Sequence, residues 1–302
     1  MATTILFSPA LFWFSFLFFL SFLSLQTISQ PRVNHLLTFC NNRSNSFVED
    51  SSYDSNLRSA LKYLRGTSPA PPYLSVTKGL SPDTVYGMYH CRVDITKSTC
   101  GVCVRTAITE ISKRCTSQKE AFIFYEQCMV RYSDYSFFGL QELDGPNALL
   151  PSTTDFPTTS RFGETLPDKM NKLITRAAST TLWPNPYFSQ DQQHVTELGS
   201  TYTVDSLVQC SPDLDPGNCT VCLRLAVEKL LECCSRSRSA LNFLPKCLVR
   251  FNTSSNADVP SFEKKHNGDD PSSGVIKGDK IFEGIFVAVI KASALALVRL
   301  ML

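Results

Sequence analysis

Charge is missing from the start of this chain, and cysteine from both of its ends. The first 29 of its 302 residues carry no charged side chain, and none of its 12 cysteines precedes Cys40 or follows Cys247. Histidine is scarce. The four are His35, His90, His194 and His266, and none sits at H-E-x-x-H spacing, so a zinc-protease arrangement is excluded. There is no G-x-S-x-G elbow, no P-loop or Gly-rich phosphate loop, and no H-R-D or D-F-G. Those absences remove the hydrolase and kinase chemistries that such motifs carry. A net charge of +2 gives no general attraction to nucleic acid. The chain therefore reads as a non-enzyme with no cofactor and no metal.

The uncharged start is apolar from Ile5 to Leu25. It reads as a signal peptide over 1–29, cut after Ser29, with Thr27 and Ser29 at the small-residue positions. Entry into the secretory route makes disulfides the default state of the cysteines. Sequons at Asn42, Asn218 and Asn252 fit that compartment as glycosylation candidates.

An internal repeat sets the architecture. Cys91, Cys100, Cys103, Cys115 and Cys128 recur 119 residues later as Cys210, Cys219, Cys222, Cys234 and Cys247. Asp94 matches Asp213 in the same register, and Cys128-Met-Val-Arg-Tyr132 matches Cys247-Leu-Val-Arg-Phe251. The chain is a tandem duplication. Residues 142–159 hold Pro146, Pro151 and Pro157 amid Ser and Thr, and read as a linker unable to form a helix or a central strand. The first domain is then 30–141 and the second 160–259.

Apolar residues at helical spacing predict a helix over 53–65, and its counterpart through Met170, Leu173, Ile174 and Ala177, with Pro167 near the start. A second helix is predicted over 100–114, with Cys100, Cys103, Ala107, Ile108 and Ile111 on one face. Segments 85–93 and 120–132 are rich in Tyr, Val, Ile and Phe and read as strands. Cys128, Val130 and Tyr132 share one strand face. Each unit is α+β: a small antiparallel sheet, stapled by disulfides, with helices packed on one face.

Both copies contain C-x8-C-x2-C, and the stretch from Glu120 to Gly139 and the Cys40-Asn41-Asn42 start accompany it. Together these residues resemble the plant ginkbilobin-type, or stress-antifungal, domain. That domain occurs in tandem in cysteine-rich repeat secretory proteins, in plasmodesmata-located proteins and in the ectodomains of cysteine-rich receptor-like kinases. By position, the resemblance implies bridges Cys40–Cys115, Cys91–Cys100, Cys103–Cys128, Cys210–Cys219 and Cys222–Cys247. The position matching Cys40 is Thr159, and an extra Cys233 precedes Cys234. A vicinal bridge, a bond to another chain and a free thiol all remain open for that pair. The repeated C-x2-C also admits zinc or a redox dithiol, but secretion and the wider repeat favour bridges.

In ginkbilobin-like lectins, an Asn beside the first cysteine, an Arg six places before the last and a Glu five after it bind mannose. Here those positions are Asn41, Phe122 and Ser133. Only the first keeps its type, and in the second copy the latter two are Leu241 and Asn252. Asn41 is therefore the ligand-binding candidate, against a turn or cap role. His90 reads as a satisfied wall residue. Arg131 and Arg250 recur at equivalent places, and alternation with Val130 and Val249 points them out of the core. They are either ion-paired or a shared recognition surface. Arg236, Arg238, Lys246 and Arg250 form a candidate basic patch.

Residues 260–280 read as a polar stalk. Residues 281–302 are apolar but interrupted by Glu283, Lys291 and Arg299. They are a candidate for membrane association as a span, as the tail of a lipid-anchor signal, as an interfacial helix, or as an aberrant terminus. The 43 residues after Val259 are too few for a kinase domain. The resemblance thus implies a secreted, apoplastic recognition module of stress or defence signalling, with an extracellular receptor-like protein or a glycan as partner and a membrane tether as an option. Its rivals are a mannose-binding antifungal lectin, a plasmodesmal membrane protein and a truncated receptor-like kinase.

Overall fold

Tyr53, Leu57, Ala60, Leu61 and Leu64 form the buried stripe of helix α1 (Ser52–Gly66). In this computed structural model the described residues are 31–42, 46–66, 71–140, 142, 144–156, 160–181, 186–197 and 200–255. The expected signal peptide, the stalk and the tail lie outside them, and the expected match of Thr159 to Cys40 is corrected by the sheet register, which puts Pro151 opposite Ala240 where Cys40 stands opposite Ala121. Helix α2 (Lys97–Arg114) starts one turn before the expected Cys100, because Thr96 caps it by accepting a hydrogen bond from the Thr99 N–H. Its counterpart α4 (Pro216–Cys234) is capped the same way by Asp215, with Pro216 in the first turn. Helix α3 (Phe162–Ser179) begins at Phe162, so Pro167 lies inside it. Only the bond that its missing N–H would make to Gly163 is lost there.

The first sheet has strand order β1 (His35–Cys40), β4 (Ala121–Tyr125), β5 (Cys128–Ser133), β3 (Val85–Cys91) and β2 (Tyr73–Lys78). The second repeats it as β6 (Ala148–Pro151), β9 (Ser239–Phe243), β10 (Cys247–Ser255), β8 (Ser200–Cys210) and β7 (Phe188–Glu197). All pairings are antiparallel. Segment 120–132, expected as strand, is a hairpin that turns at Glu126 and Gln127. The stretch read as a linker supplies β6, which pairs with β9 from Ala148↔Phe243 to Pro151↔Ala240. Its place at the sheet edge is where a strand tolerates proline.

Each central strand is sandwiched. Cys128, Val130 and Tyr132 face the helices, in one core with Ala107, Ile108 and Ile111. The opposite face of each sheet packs against the other domain. There Met88, Phe122, Phe124 and Met129 meet Leu207, Leu241, Phe243 and Leu248. The repeat offset pairs these two sets one to one. Two counterparts touch each other directly: the Phe124 and Phe243 rings lie 5.7 Å apart, and Gln209 bonds His90. A residue meeting its own counterpart is the mark of a two-fold arrangement, here built within one chain.

The bridges fasten helices to strands. Cys91–Cys100 and Cys103–Cys128 tie successive turns of α2 to β3 and β5, and Cys210–Cys219 and Cys222–Cys247 do the same for α4. Cys40–Cys115 holds the edge strand β1 to the end of α2. Cys233 and Cys234 are bridged to each other. The chain-entropy gain of a bridge grows with the loop it closes, and a vicinal bridge closes none. Replacing Cys40 and Cys115 together by Ser should therefore cost about 2–4 kcal/mol. Cys233→Ser with Cys234→Ala should cost less, about 1 kcal/mol in urea unfolding, because only the packing of the buried Cys234 sulfur is lost. A larger loss from the second pair would overturn this reading.

His90 is fully buried at the domain contact. Gln209 Nε2 donates to His90 Nε2 at 2.6 Å and to the Cys91 carbonyl at 2.9 Å, while its Oε1 accepts from the Val93 N–H at 3.0 Å. This network places the imidazole proton on Nδ1, which is buried without a partner among the described residues, so the expected satisfied histidine is satisfied at Nε2 alone. Burial pushes His90 down to about 4; Lys246 adds to the shift and Asp213 opposes it. An unfolded chain takes up this proton near pH 6.5 and the folded chain does not. The contribution of His90 to stability is thus whole above about pH 6.5 and declines as pH falls to about 4, by about 3 kcal/mol in all. Urea titrations at pH 7 and 4.5 should show a smaller pH loss for His90→Gln than for the parent chain. Equal losses would rule the histidine out as a contributor.

Candidate functional site

Strand β1 lies against β4, and the Asn41 N–H donates to the Glu120 carbonyl at 3.0 Å. This pairing sets Asn41 beside the Glu120 side chain, whose Oε2 accepts from Asn41 Nδ2 at 2.7 Å. The chain beyond β5 brings Tyr135, and the segment before β6 brings Glu142, Asp144, Gly145 and Pro146. With Phe39 they line a pocket of about 510 Å³. Asn41 is the sequence candidate that the fold places here. Phe122 and Ser133 are not with it at the surface: Phe122 is buried under the second domain and Ser133 is fully buried. In the second copy Leu241 is buried in the same domain contact, and Asn252 lies on β10 between Asp205 and Ser239.

Beneath the pocket is Arg131. Its expected outward direction is correct for the helix side, but that outer face is the one covered by the second sheet, and Arg131 has no exposed surface. A buried guanidinium is tolerated only when it is paired. Arg131 donates to Glu120 Oε1 at 2.8 Å, to both carboxylate oxygens of Glu142 and to the Tyr135 hydroxyl at 2.9 Å. Its guanidinium lies 4.3 Å from the Phe122 ring centre and 3.9 Å from that of Phe137. Tyr135 in turn donates to Glu120 Oε1 at 2.5 Å. Burial first, and then that carboxylate, hold the phenol proton well above its ordinary range. One cation thus holds Glu120, Tyr135 and Glu142 in place. Glu142 and Asp144 fall in the stretch that reads as a linker, so no sequence signal pointed to them. The unbroken apolar run Ala121–Tyr125 was the sign that β4 is covered on both faces.

Arg250 does not repeat this role. It is half-buried and lies 3.4 Å from Asp94 of the first domain. Asp213, the counterpart of Asp94, also reaches across: its carboxylate accepts from the Gly139 N–H at 2.9 Å and pairs with Lys246 at 2.5 Å. Burial alone would raise Asp213, but Lys246 holds its carboxyl below the usual range. Burial lowers Lys246, with Asp213 opposing. The expected basic patch is therefore not assembled. Lys246 is 1% exposed and ion-paired, Arg238 covers the Phe156 ring at 4.8 Å, and Arg250 faces Asp94. Three of its charges are spent on packing and on the domain contact, and Arg236 alone stands exposed.

The three sequons differ in setting. Asn42 stands in an exposed turn. Asn218 lies in the first turn of α4, where its Nδ2 donates to Asp215 at 2.6 Å and its neighbour Cys219 is bridged. Asn252 is half-buried within β10. Peptide mapping of the secreted chain after enzymatic deglycosylation should find a glycan at Asn42 and none at Asn218; a fully occupied Asn218 would contradict the capped helix start.

Among the described residues, no helix is long and apolar enough to cross a membrane. Residues 39–135 and 151–254 each match the salt stress response/antifungal domain. The chain is 50% identical over 260 residues to cysteine-rich repeat secretory protein 8 of Arabidopsis thaliana, covering 84% of this chain and 90% of that protein. It is 47% identical over 244 residues to cysteine-rich repeat secretory protein 9 of the same plant, covering 81% and 72%. The tandem DUF26 ectodomain of the Arabidopsis thaliana cysteine-rich receptor-like protein PDLP8 superposes with a TM-score of 0.60 at 23% identity, over 74% of this chain and 99% of that one. That likeness establishes the shared fold of two antiparallel sheets and four helices. With both of its copies matched and its relatives named as secretory, the chain belongs to the salt stress response/antifungal family as an extracellular tandem-domain protein.

Proposed function

We propose that this protein is a non-catalytic recognition module in extracellular stress and defence signalling, and that the pocket of its first domain is where it engages a ligand. The observation that carries the reading is the convergence of Asn41, Glu120, Tyr135, Glu142 and Asp144 around one cavity, with the buried Arg131 holding three of them. A few fixed polar groups in a concave site are what ligand recognition requires. The second copy offers no equivalent, since Ser239 and Leu241 stand where Glu120 and Phe122 do. The two domains then divide the work: the first binds and the second covers and rigidifies its sheet.

The lectin alternative needs the three mannose positions together. Two are replaced, and both replacements are buried. The membrane-tethered alternative rests on 281–302, outside the described residues.

The test is a screen of the secreted chain against a glycan array and a panel of receptor ectodomains, beside Asn41→Ala and Tyr135→Ala variants. Binding should weaken at least tenfold in Tyr135→Ala, with the thermal midpoint of the domain contact retained. Full-strength binding by both variants would move the ligand site elsewhere.

A further inference from the structure

The chemistry of that pocket selects a class of ligand. We infer that it takes a basic side chain, lysine or arginine, presented by an extracellular partner protein; the inference rests on the pocket being the ligand site. Three carboxylates belong to the pocket: Glu120, Glu142 and Asp144. One cation, Arg131, answers them, and it is spent inside on Glu120 and Glu142. The local balance is negative. Asp144 stands exposed at the rim, and Glu142 keeps part of its surface open beside it.

A cavity of this charge would suit any small cation, but its walls are more selective. Phe39 and Tyr135 are 39% and 45% exposed, among the few large apolar side chains on this surface. Both line the pocket, with Pro146. Aromatic faces beside carboxylates favour a cation carried on an apolar stem: the stem packs on the rings, and the charge is attracted to both ring face and carboxylate. The ring of Phe39 is also braced, edge-on at 6.0 Å, by Phe122. The same chain already shows the pairing from within, because Arg131 itself lies between aromatic rings with carboxylates at its nitrogens. An anionic ligand would meet repulsion at Glu142 and Asp144, and no free guanidinium is left for it.

The measurement is chemical-shift perturbation on the isotope-labelled secreted chain, with Nα-acetyl-lysine amide, Nα-acetyl-arginine amide, neutral Nα-acetyl-norleucine amide and methyl α-mannoside as probes. The two basic probes should shift Asn41, Tyr135 and Gly145. Norleucine amide should bind at least fivefold more weakly, and 0.5 M NaCl should weaken the basic probes by a similar factor. Asp144→Asn, an exposed and isosteric change that leaves the Arg131 cluster whole, should weaken lysine binding about threefold to tenfold. Shifts at these residues from mannoside, with none from the basic probes, would overturn the cation assignment and leave the pocket as the ligand site. Shifts from the basic probes confined to residues outside the pocket would overturn both readings. Equal binding of lysine and norleucine probes would overturn the role of charge.

Discussion

Each sheet in this protein is apolar on both faces, and helices cover only one. The remaining face must be taken out of water, and the other domain is what covers it. Met88, Phe122, Phe124 and Met129 against Leu207, Leu241, Phe243 and Leu248 form one dry layer between two sheets. Disulfides fasten each helix to its own sheet, but none crosses between the domains. The domain contact therefore rests on side-chain burial and on a few polar bonds. Among these, the Gln209 amide bridging His90, Cys91 and Val93 ties counterpart strands at their ends.

That burial dictates the electrostatics. Once the second sheet covers β5, a guanidinium at position 131 can stay only if carboxylates follow it inside, and Glu120 and Glu142 do. The pocket is a by-product of this neutralisation: the carboxylates that answer Arg131 line it with Asn41 and Tyr135, Glu120 buried and Glu142 partly open. At the equivalent place in the second copy, Arg250 instead turns to Asp94 and closes the contact. The two copies thus share a fold but differ at the contact, where Ser239 stands in place of Glu120. Phe137 and Gly139 seal the difference, the first in the apolar layer and the second on Asp213.

Much of the fold was legible in the chain. The doubled cysteine spacing, the helical stripes of α1 and α2 and the aromatic strands all have local causes, namely periodicity, capping and side-chain branching. So do their counterparts in the second copy. The strand β6 was hidden because an edge strand of four residues containing a proline has no pattern to distinguish it from a linker. The site was legible only at Asn41.

The sequence by itself determined that the chain is two copies of one disulfide-stapled α+β unit, since spacing and periodicity are properties of neighbours along the chain. Only the tertiary structure decided which face of each strand meets water. Alternation along β5 assigns Arg131 to the side opposite Val130, but alternation cannot say whether that side faces solvent or a second sheet. The answer depends on a surface more than a hundred residues away, and with it the fate of Arg131, Lys246 and the pocket.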